Sequence, residues 1–172
     1  MRADQTFSAI LALPTCRFGA SITLDARGEE QLDELVFLSP YTPLYSGSSK
    51  LASGLSEALQ AWLQNPHTRL AFPLARHGTD FQHRIWQAIR AIPCGQTRSY
   101  GELSTEHGGT PRAVGQACGA NPFPIIVPCH RVLAKSGIGG FANAREGWLL
   151  DTKRWLLRHE GALHESPQGQ LL

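Results

Sequence analysis

Two short helical segments joined by a glycine turn constrain the fold of this chain more than any other feature. The first is predicted to start near Ser99 and run through Leu103, and the second covers residues 112–119. The turn at 108–111 contains two glycines and ends in a proline, which suits the first position of a helix. Two short helices separated in this way are typical of a helix-turn-helix.

The second of these helices has very little bulk. Its small residues are Ala113, Gly115, Ala117, Gly119 and Ala120. Glycine inside a helix costs about 1 kcal/mol relative to alanine, so its repeated use needs a reason. Tight packing against another helix is one explanation. The other is close approach of the backbone to the minor groove of DNA, with Arg112 projecting into the duplex. The sequence leaves both open.

The remaining segments predict an α+β protein. Residues 18–24 alternate between large apolar and small residues, and the runs at 7–13 and 35–38 add further strands of a small antiparallel sheet. Helices are predicted at 51–62 and 81–92 from apolar residues at helical spacing. We therefore expect an N-terminal sheet domain at 1–75, a mostly helical domain with a winged-helix-like helix-turn-helix at 76–163, and a disordered tail at 164–172.

Charge is distributed unevenly along the chain. Residues 1–75 carry five Lys/Arg and seven Asp/Glu, a net of −2, whereas residues 76–172 carry eleven and seven, a net of +4. The second part is the one suited to a polyanion, although an ordinary solvated surface would also account for so small an excess.

The cysteine pattern and the absence of targeting features indicate a reducing compartment. Four cysteines without secretory features predict free thiols, and we expect a cytoplasmic protein, in a bacterium within the cytoplasm or nucleoid. No metal-ligand spacing occurs, so no metal is predicted. No apolar run is long enough to cross a membrane.

The block Pro128-Cys129-His130-Arg131 follows the apolar run 125–127 and carries the strongest chemical signal. A thiol is a good nucleophile only as the thiolate, and a nearby imidazole is a common means of producing one. The alternative from these residues alone is a small buried cysteine beside a hydrogen-bonded histidine.

Six blocks that occur in order resemble the O6-alkylguanine-DNA alkyltransferases, also called methylated-DNA–protein-cysteine methyltransferases. The resemblance is strong over residues 70–161 and weak before them. The blocks are Thr79 to Gln82 with Trp86, Ile92 to Gln96 with Tyr100-Gly101, Arg112 to Gly115, Asn121-Pro122, Ile126 to Val132, and Trp155 to Gly161.

The resemblance implies a nucleophilic site. Cys129 would accept the alkyl group, His130 would activate it through a water, and Glu160 would orient the histidine. Tyr100 would donate a proton to the departing guanine, and Asn121 would support the turn that holds the cysteine. The thioether product is stable, so the resemblance implies a methyltransferase of which each molecule reacts once.

The resemblance also implies a DNA-binding surface and a base pocket. Arg112 would fill the gap left by a flipped base, on the helix that carries Ala113 and Gly115, and Pro122 and Arg131 would also lie at the DNA. The pocket walls would include Val132, Phe141 and Ala142. The family usually has tyrosine where Phe141 stands.

The segment 142–152 is several residues longer than in the family. Helical spacing from Trp148 onwards predicts that the last helix begins near Glu146 or Gly147, which would leave 142–145 as a loop. The segment then either gates the pocket and sets which alkyl groups fit, or is an inert insertion.

The implied partner is double-stranded DNA containing O6-alkylguanine, and the sequence leaves open whether O4-alkylthymine is also accepted. We expect a monomer with no cofactor and no membrane association. Two rival functions are a non-reacting binder of alkylated DNA and a cysteine hydrolase. The binders carry tryptophan at the cysteine position, and hydrolases usually take their base from a distant part of the chain.

Overall fold

The computed structural model describes residues 7–163, which form two compact units that divide between His77 and Gly78. The predicted boundary at 75/76 lies two residues earlier. The predicted tail at 164–172 lies outside the described residues. Among residues 7–163, no helix is both long and apolar enough to cross a membrane.

The first unit is a three-stranded antiparallel sheet with one helix. Its elements are β1 (Ala9–Ala12), β2 (Arg17–Leu24), β3 (Glu30–Leu38) and α1 (Lys50–Gln64), and the strand order is β1-β2-β3. Phe18 and Leu32 from the sheet and Trp62 from the helix are almost fully buried and form the core. The hydroxyl of Ser49 caps α1 by accepting the N–H of Ala52 at 3.0 Å.

The second unit contains four helices and a very short parallel strand pair. Its elements are α2 (Asp80–Ala91), β4 (Arg98–Ser99), α3 (Tyr100–His107), α4 (Pro111–Gly119), β5 (Val132–Leu133) and α5 (Trp148–His159). β4 pairs with β5, which brings the start of α3 beside the segment that follows Cys129. The buried side chains of Ile85, Ile89, Val114, Val132 and Leu156 form the core of this unit.

The helices α3 and α4 form the predicted helix-turn-helix. Ser99 and Glu102 make a capping box at the start of α3, and Thr110 caps α4. The turn between them contains Gly108 and Gly109, both in the left-handed region, with φ of 83° and 85°. The α+β class and the antiparallel N-terminal sheet predicted from the sequence are therefore confirmed.

Candidate active site

The turn that carries Cys129 is held together by the side chain of Asn121. Its amide nitrogen donates to the carbonyl of Val127 at 2.8 Å and to Sγ of Cys129 at 3.3 Å, while its oxygen accepts the N–H of Phe123 at 3.0 Å. Cys129 then opens a single 3-10 turn that ends at Arg131. The structure thus places the Asn121 amide against both the turn and the sulfur of Cys129.

Backbone strain accompanies this turn. Ile125 has a φ of 71°, which is unfavourable for a β-branched residue because its side chain crowds the backbone there. Such strain persists only where the surrounding structure enforces it, and it is common at functional sites.

His130 and Glu160 form a fully buried pair. Nε2 of His130 lies 2.9 Å from Oε1 of Glu160, and neither side chain is exposed to solvent. Burial lowers the pKa of His130 below its ordinary value, although the Glu160 carboxylate opposes this shift. The histidine is therefore neutral at pH 7. Nε2 lies beside the carboxylate and Nδ1 has no hydrogen-bond partner in the described part of the chain, so Nδ1 remains as the nitrogen that can accept a proton.

Arg131 completes this buried network and differs from the sequence-based expectation. Its guanidinium donates to Oε2 of Glu160 at 2.7 Å and to Oε1 at 2.9 Å, and it also donates to the carbonyl of Ile92 at 2.5 Å. Only 12% of the side chain is exposed. Three of its five N–H donors are therefore engaged inside the fold, which argues against the predicted DNA contact.

The pKa of Glu160 follows from these two partners. Burial alone would raise it, but hydrogen bonds and charge from His130 and Arg131 outweigh burial and hold the pKa at about 2. The carboxylate is therefore ionised across the physiological range.

A cleft of about 350 Å³ opens beside Cys129. Five of the residues predicted for the site line it: Tyr100, Gly115, Cys129, Phe141 and Ala142. Burial raises the pKa of the Cys129 thiol, so the resting group is protonated. Burial, with the nearby thiols of Cys118 and Cys129, also raises the pKa of Tyr100, so its phenol keeps its proton.

Val132 is not among the residues that line the cleft. Its side chain is fully buried, and its carbonyl accepts a hydrogen bond from Nζ of Lys153 at 2.7 Å. The same ammonium donates to the carbonyl of Gly140 at 3.0 Å, so Lys153 joins β5 to the segment before Phe141.

Lys153 was not predicted as a site residue, although the sequence holds a signal for it. Leu150 and Leu157, which are buried in α5, lie three residues before it and four residues after it, so helical spacing places the lysine on the apolar face. Burial lowers its pKa to about 8. A charged residue on such a face is rarely buried without a specific partner.

Cys118, Gly119, Asn143 and Arg145 also line the cleft and were missed. They lie at the end of α4 and in the segment after Phe141. All four cysteines of the chain are free thiols, as predicted, and Cys94 is the only one of them that is not buried.

The helix α4 has two different faces. Val114, Ala117 and Cys118 are buried, and the indole N–H of Trp86 in α2 donates to the carbonyl of Ala117 at 2.8 Å. Arg112 lies exposed in the first turn, and Ala113 is half-buried beside it. Pro122 is half-buried just after the helix. The small residues therefore serve close packing on one face, while the other face stays open to a partner.

The last helix begins at Trp148, with Gly147 preceding it. This agrees with the predicted early start, and residues 142–147 remain between Phe141 and α5. Within residues 7–163, no cluster of three His, Cys, Asp or Glu side chains is arranged to hold a metal ion.

Sequence comparisons identify relatives of this chain. Residues 80–162 match the family described as 6-O-methylguanine DNA methyltransferase, DNA binding domain. A methylated-DNA–protein-cysteine methyltransferase of Mycolicibacterium paratuberculosis is 40% identical over 126 residues, which cover 70% of this chain and 73% of that protein. The protein of the same name from Salmonella typhimurium is 52% identical over 92 residues, but the match spans only 51% of its length and 52% of this chain.

Structural comparison gives the same family. A crystal structure of Mycobacterium tuberculosis OGT in complex with DNA matches with a TM-score of 0.68 and 34% identity, covering 89% of this chain and 91% of that one. A structure of Mycobacterium tuberculosis O6-methylguanine methyltransferase matches with a TM-score of 0.66 and 30% identity over the same shares. The chain therefore belongs to the methylated-DNA–protein-cysteine methyltransferase family.

Proposed function

We propose that the protein repairs DNA by transferring the alkyl group of O6-alkylguanine to Sγ of its own Cys129. The observation that carries this proposal is the shared cleft of Cys129 and Tyr100, together with the buried pair that Glu160 forms with His130, the residue after the cysteine. A nucleophile, a base oriented by a carboxylate, and a proton donor are the groups that such a transfer needs.

The reaction proceeds as a single displacement. The bond from Sγ to the alkyl carbon forms as the bond from that carbon to O6 breaks. The thiol proton passes to Nδ1 of His130, through a water as the family resemblance implies, and Tyr100 supplies a proton to the departing guanine. The products are a thioether and an unmodified guanine. No group in the site reverses a thioether bond, so each molecule acts once.

The protonation states of the thiol, the imidazole and the phenol suit this order of proton transfers. Cys129 is a thiol at rest because burial raises its pKa, so it must lose a proton as it attacks. His130 is neutral because burial lowers its pKa, so it can accept that proton. The raised pKa of Tyr100 keeps its phenol protonated until the guanine leaves.

The substrate is the damaged base in duplex DNA, bound by the protein as a monomer. An alkylated O6 cannot reach a buried thiol while the base is stacked, so the nucleotide must be flipped into the cleft. Arg112, at the exposed start of α4, would occupy the vacated space. O4-alkylthymine presents the same kind of alkyl–oxygen bond and falls in the same substrate class. The DNA complex of the Mycobacterium tuberculosis relative supports DNA as the partner.

Mass spectrometry tests this function directly. After incubation with duplex DNA containing O6-methylguanine, the Cys129 peptide should gain the mass of one methylene, and repair should stop at one equivalent per protein. The Cys129→Ser variant should bind DNA but transfer nothing. Continued turnover with excess substrate would rule out this mechanism, and so would full activity of the serine variant.

A further inference from the structure

The segment that follows Phe141 is fastened to the end of α4 by one side chain. The amide nitrogen of Asn143 donates to the carbonyl of Gly119 at 3.1 Å, and Gly119 is the last residue of that helix. Asn143 has a φ of 63°, in the left-handed region that asparagine tolerates better than most residues. The contact therefore uses a residue suited to both the backbone shape and the hydrogen bond.

The space around Gly119 shows how closely the Asn143 side chain approaches the end of α4. A Cβ atom on Gly119 would lie 2.2 Å from Oδ1 of Asn143, and the three atoms nearest to it would all belong to Asn143. On the other side, Phe141 and Ala144 exchange two backbone hydrogen bonds of 2.9 and 2.8 Å, so Asn143 lies within a closed turn. Asn143 and Gly119 both line the cleft beside Cys129.

We propose that Asn143 is a positioning residue that holds the cleft wall at 141–144 against the end of α4 and so limits the size of the alkyl groups that fit. The proposal rests on the proposed alkyl transfer. Because α4 also carries Arg112, the same contact ties the wall to the helix proposed to bind DNA. Without the contact, the wall can move outward, which favours a bulky alkyl group over a small one.

Two substitutions of Asn143 test the hydrogen bond. Asn143→Gly keeps a backbone that favours positive φ and removes the amide. Asn143→Asp keeps the shape but sets an acceptor against the carbonyl of Gly119. We expect both to raise the ratio of transfer rates for O6-benzylguanine over O6-methylguanine in the same duplex. A rise of about two- to tenfold corresponds to the loss of one ordinary hydrogen bond.

Gly119→Ala tests the same contact from the opposite side. Its methyl group should displace the Asn143 side chain and raise the rate ratio in the same direction. The double variant Gly119→Ala with Asn143→Gly should show no further rise, since both changes remove one contact. Glu146→Gln, an exposed change in the same segment, serves as the control and should keep the wild-type ratio.

The outcomes separate this inference from the proposed function. An unchanged ratio in the folded Asn143→Asp and Gly119→Ala variants, or additive effects in the double variant, would overturn the role of Asn143. A wild-type protein that transfers no methyl group would instead overturn the proposed function. A purely structural role would lower both rates equally and leave their ratio unchanged.

Discussion

At the scale of single residues, the Glu160 carboxylate organises the site because it contacts both the Arg131 guanidinium and the His130 imidazole. Burying one carboxylate without partners would be very costly, but Arg131 supplies a bidentate ion pair and His130 a third contact. The arginine therefore keeps Glu160 ionised while the histidine remains neutral. This explains why the chain places an arginine next to the proposed base although that arginine does not face the solvent.

The pairing of Glu160 makes stability depend on pH. Its pKa of about 2 lies below the ordinary 4.5, so the folded state gains about 3 kcal/mol above pH 4.5, and this gain is lost as pH falls towards 2. In Glu160→Gln the part of the acid loss due to Glu160 should be absent, and stability at pH 7 should be lower by about 3 kcal/mol or more because Arg131 loses its only ionic partner among the described residues. Urea unfolding between pH 2 and pH 7 measures both effects. An equally steep acid loss in the variant would contradict the assignment.

Lys153 offers a second test at this scale. Its ammonium satisfies the carbonyls of Val132 and Gly140, so Lys153→Met should leave both unpaired and cost about 2–4 kcal/mol in the free energy of unfolding. Chemical denaturation at pH 7 checks this value. Lys135→Met, at an exposed position, should change stability by less than about 0.5 kcal/mol. Equal effects of the two variants would show that the buried contacts contribute little.

At the scale of elements, α4 combines a packed face with an open one. The two explanations for its small residues are therefore compatible. Ala117 lies against Trp86 of α2, whereas Arg112 and its neighbours remain accessible. A helix with one packed face and one exposed face can enter a narrow groove of DNA while it stays packed in the core of the protein.

Arg112→Ala tests the open face. If Arg112 fills the space of the flipped base, its loss should slow methyl transfer from duplex DNA by about tenfold or more, at a cost of at least about 1.4 kcal/mol. Transfer from the free base O6-benzylguanine should change by less than about twofold, since no flipping is required. Single-turnover kinetics on the two substrates give the comparison.

The matched control for this experiment is Arg90→Ala, which removes the same charge from an exposed position in α2. It should leave the ratio between the two substrates unchanged. Equal losses on duplex and free base in Arg112→Ala would indicate a packing role instead.

The sequence was sufficient to predict those helices and strands that have a hydrophobic period or a capping residue. The apolar stripe and the capping residue of α2 are local features, and the helix forms where they indicate. In contrast, α3 continues to His107 beyond the predicted Leu103, where Arg98 pairs with Glu102 and Glu106 along its exposed side. Two-residue strands such as β4 and β5 have no detectable period, so their pairing could not be predicted.

The candidate site shows the same difference between residues that local motifs predict and contacts between distant parts of the chain that they do not. Cys129, His130 and Glu160 were identified through ordered motifs, and the structure brings the last two into contact. The partner of Arg131 was missed because it lies 29 residues away in the chain. A charge in a sequence indicates affinity for the opposite charge, but not whether that charge belongs to DNA or to the same fold.

At the scale of the whole molecule, the uneven charge of the chain bears on binding to DNA. Residues 76–172, with their net charge of +4, contain the proposed DNA-binding helix. The logarithm of the affinity for duplex DNA should therefore fall linearly with the logarithm of the salt concentration, because phosphates that the protein binds release counterions. Fluorescence anisotropy across a salt series measures the slope. Affinity that does not vary with salt would contradict binding through this part of the protein.

Under the proposed function, the burial of Cys129 determines which alkyl donors can use up the protein. Its thiol is protonated and only 6% of the residue is exposed, whereas Cys94 is partly open to solvent. Small alkylating reagents that do not resemble guanine should react with Cys94 before Cys129, because only Cys94 is partly open to solvent. Each spent molecule then records one lesion in DNA rather than one collision with a reagent. The reacted fraction of the protein is thus a running count of repaired bases.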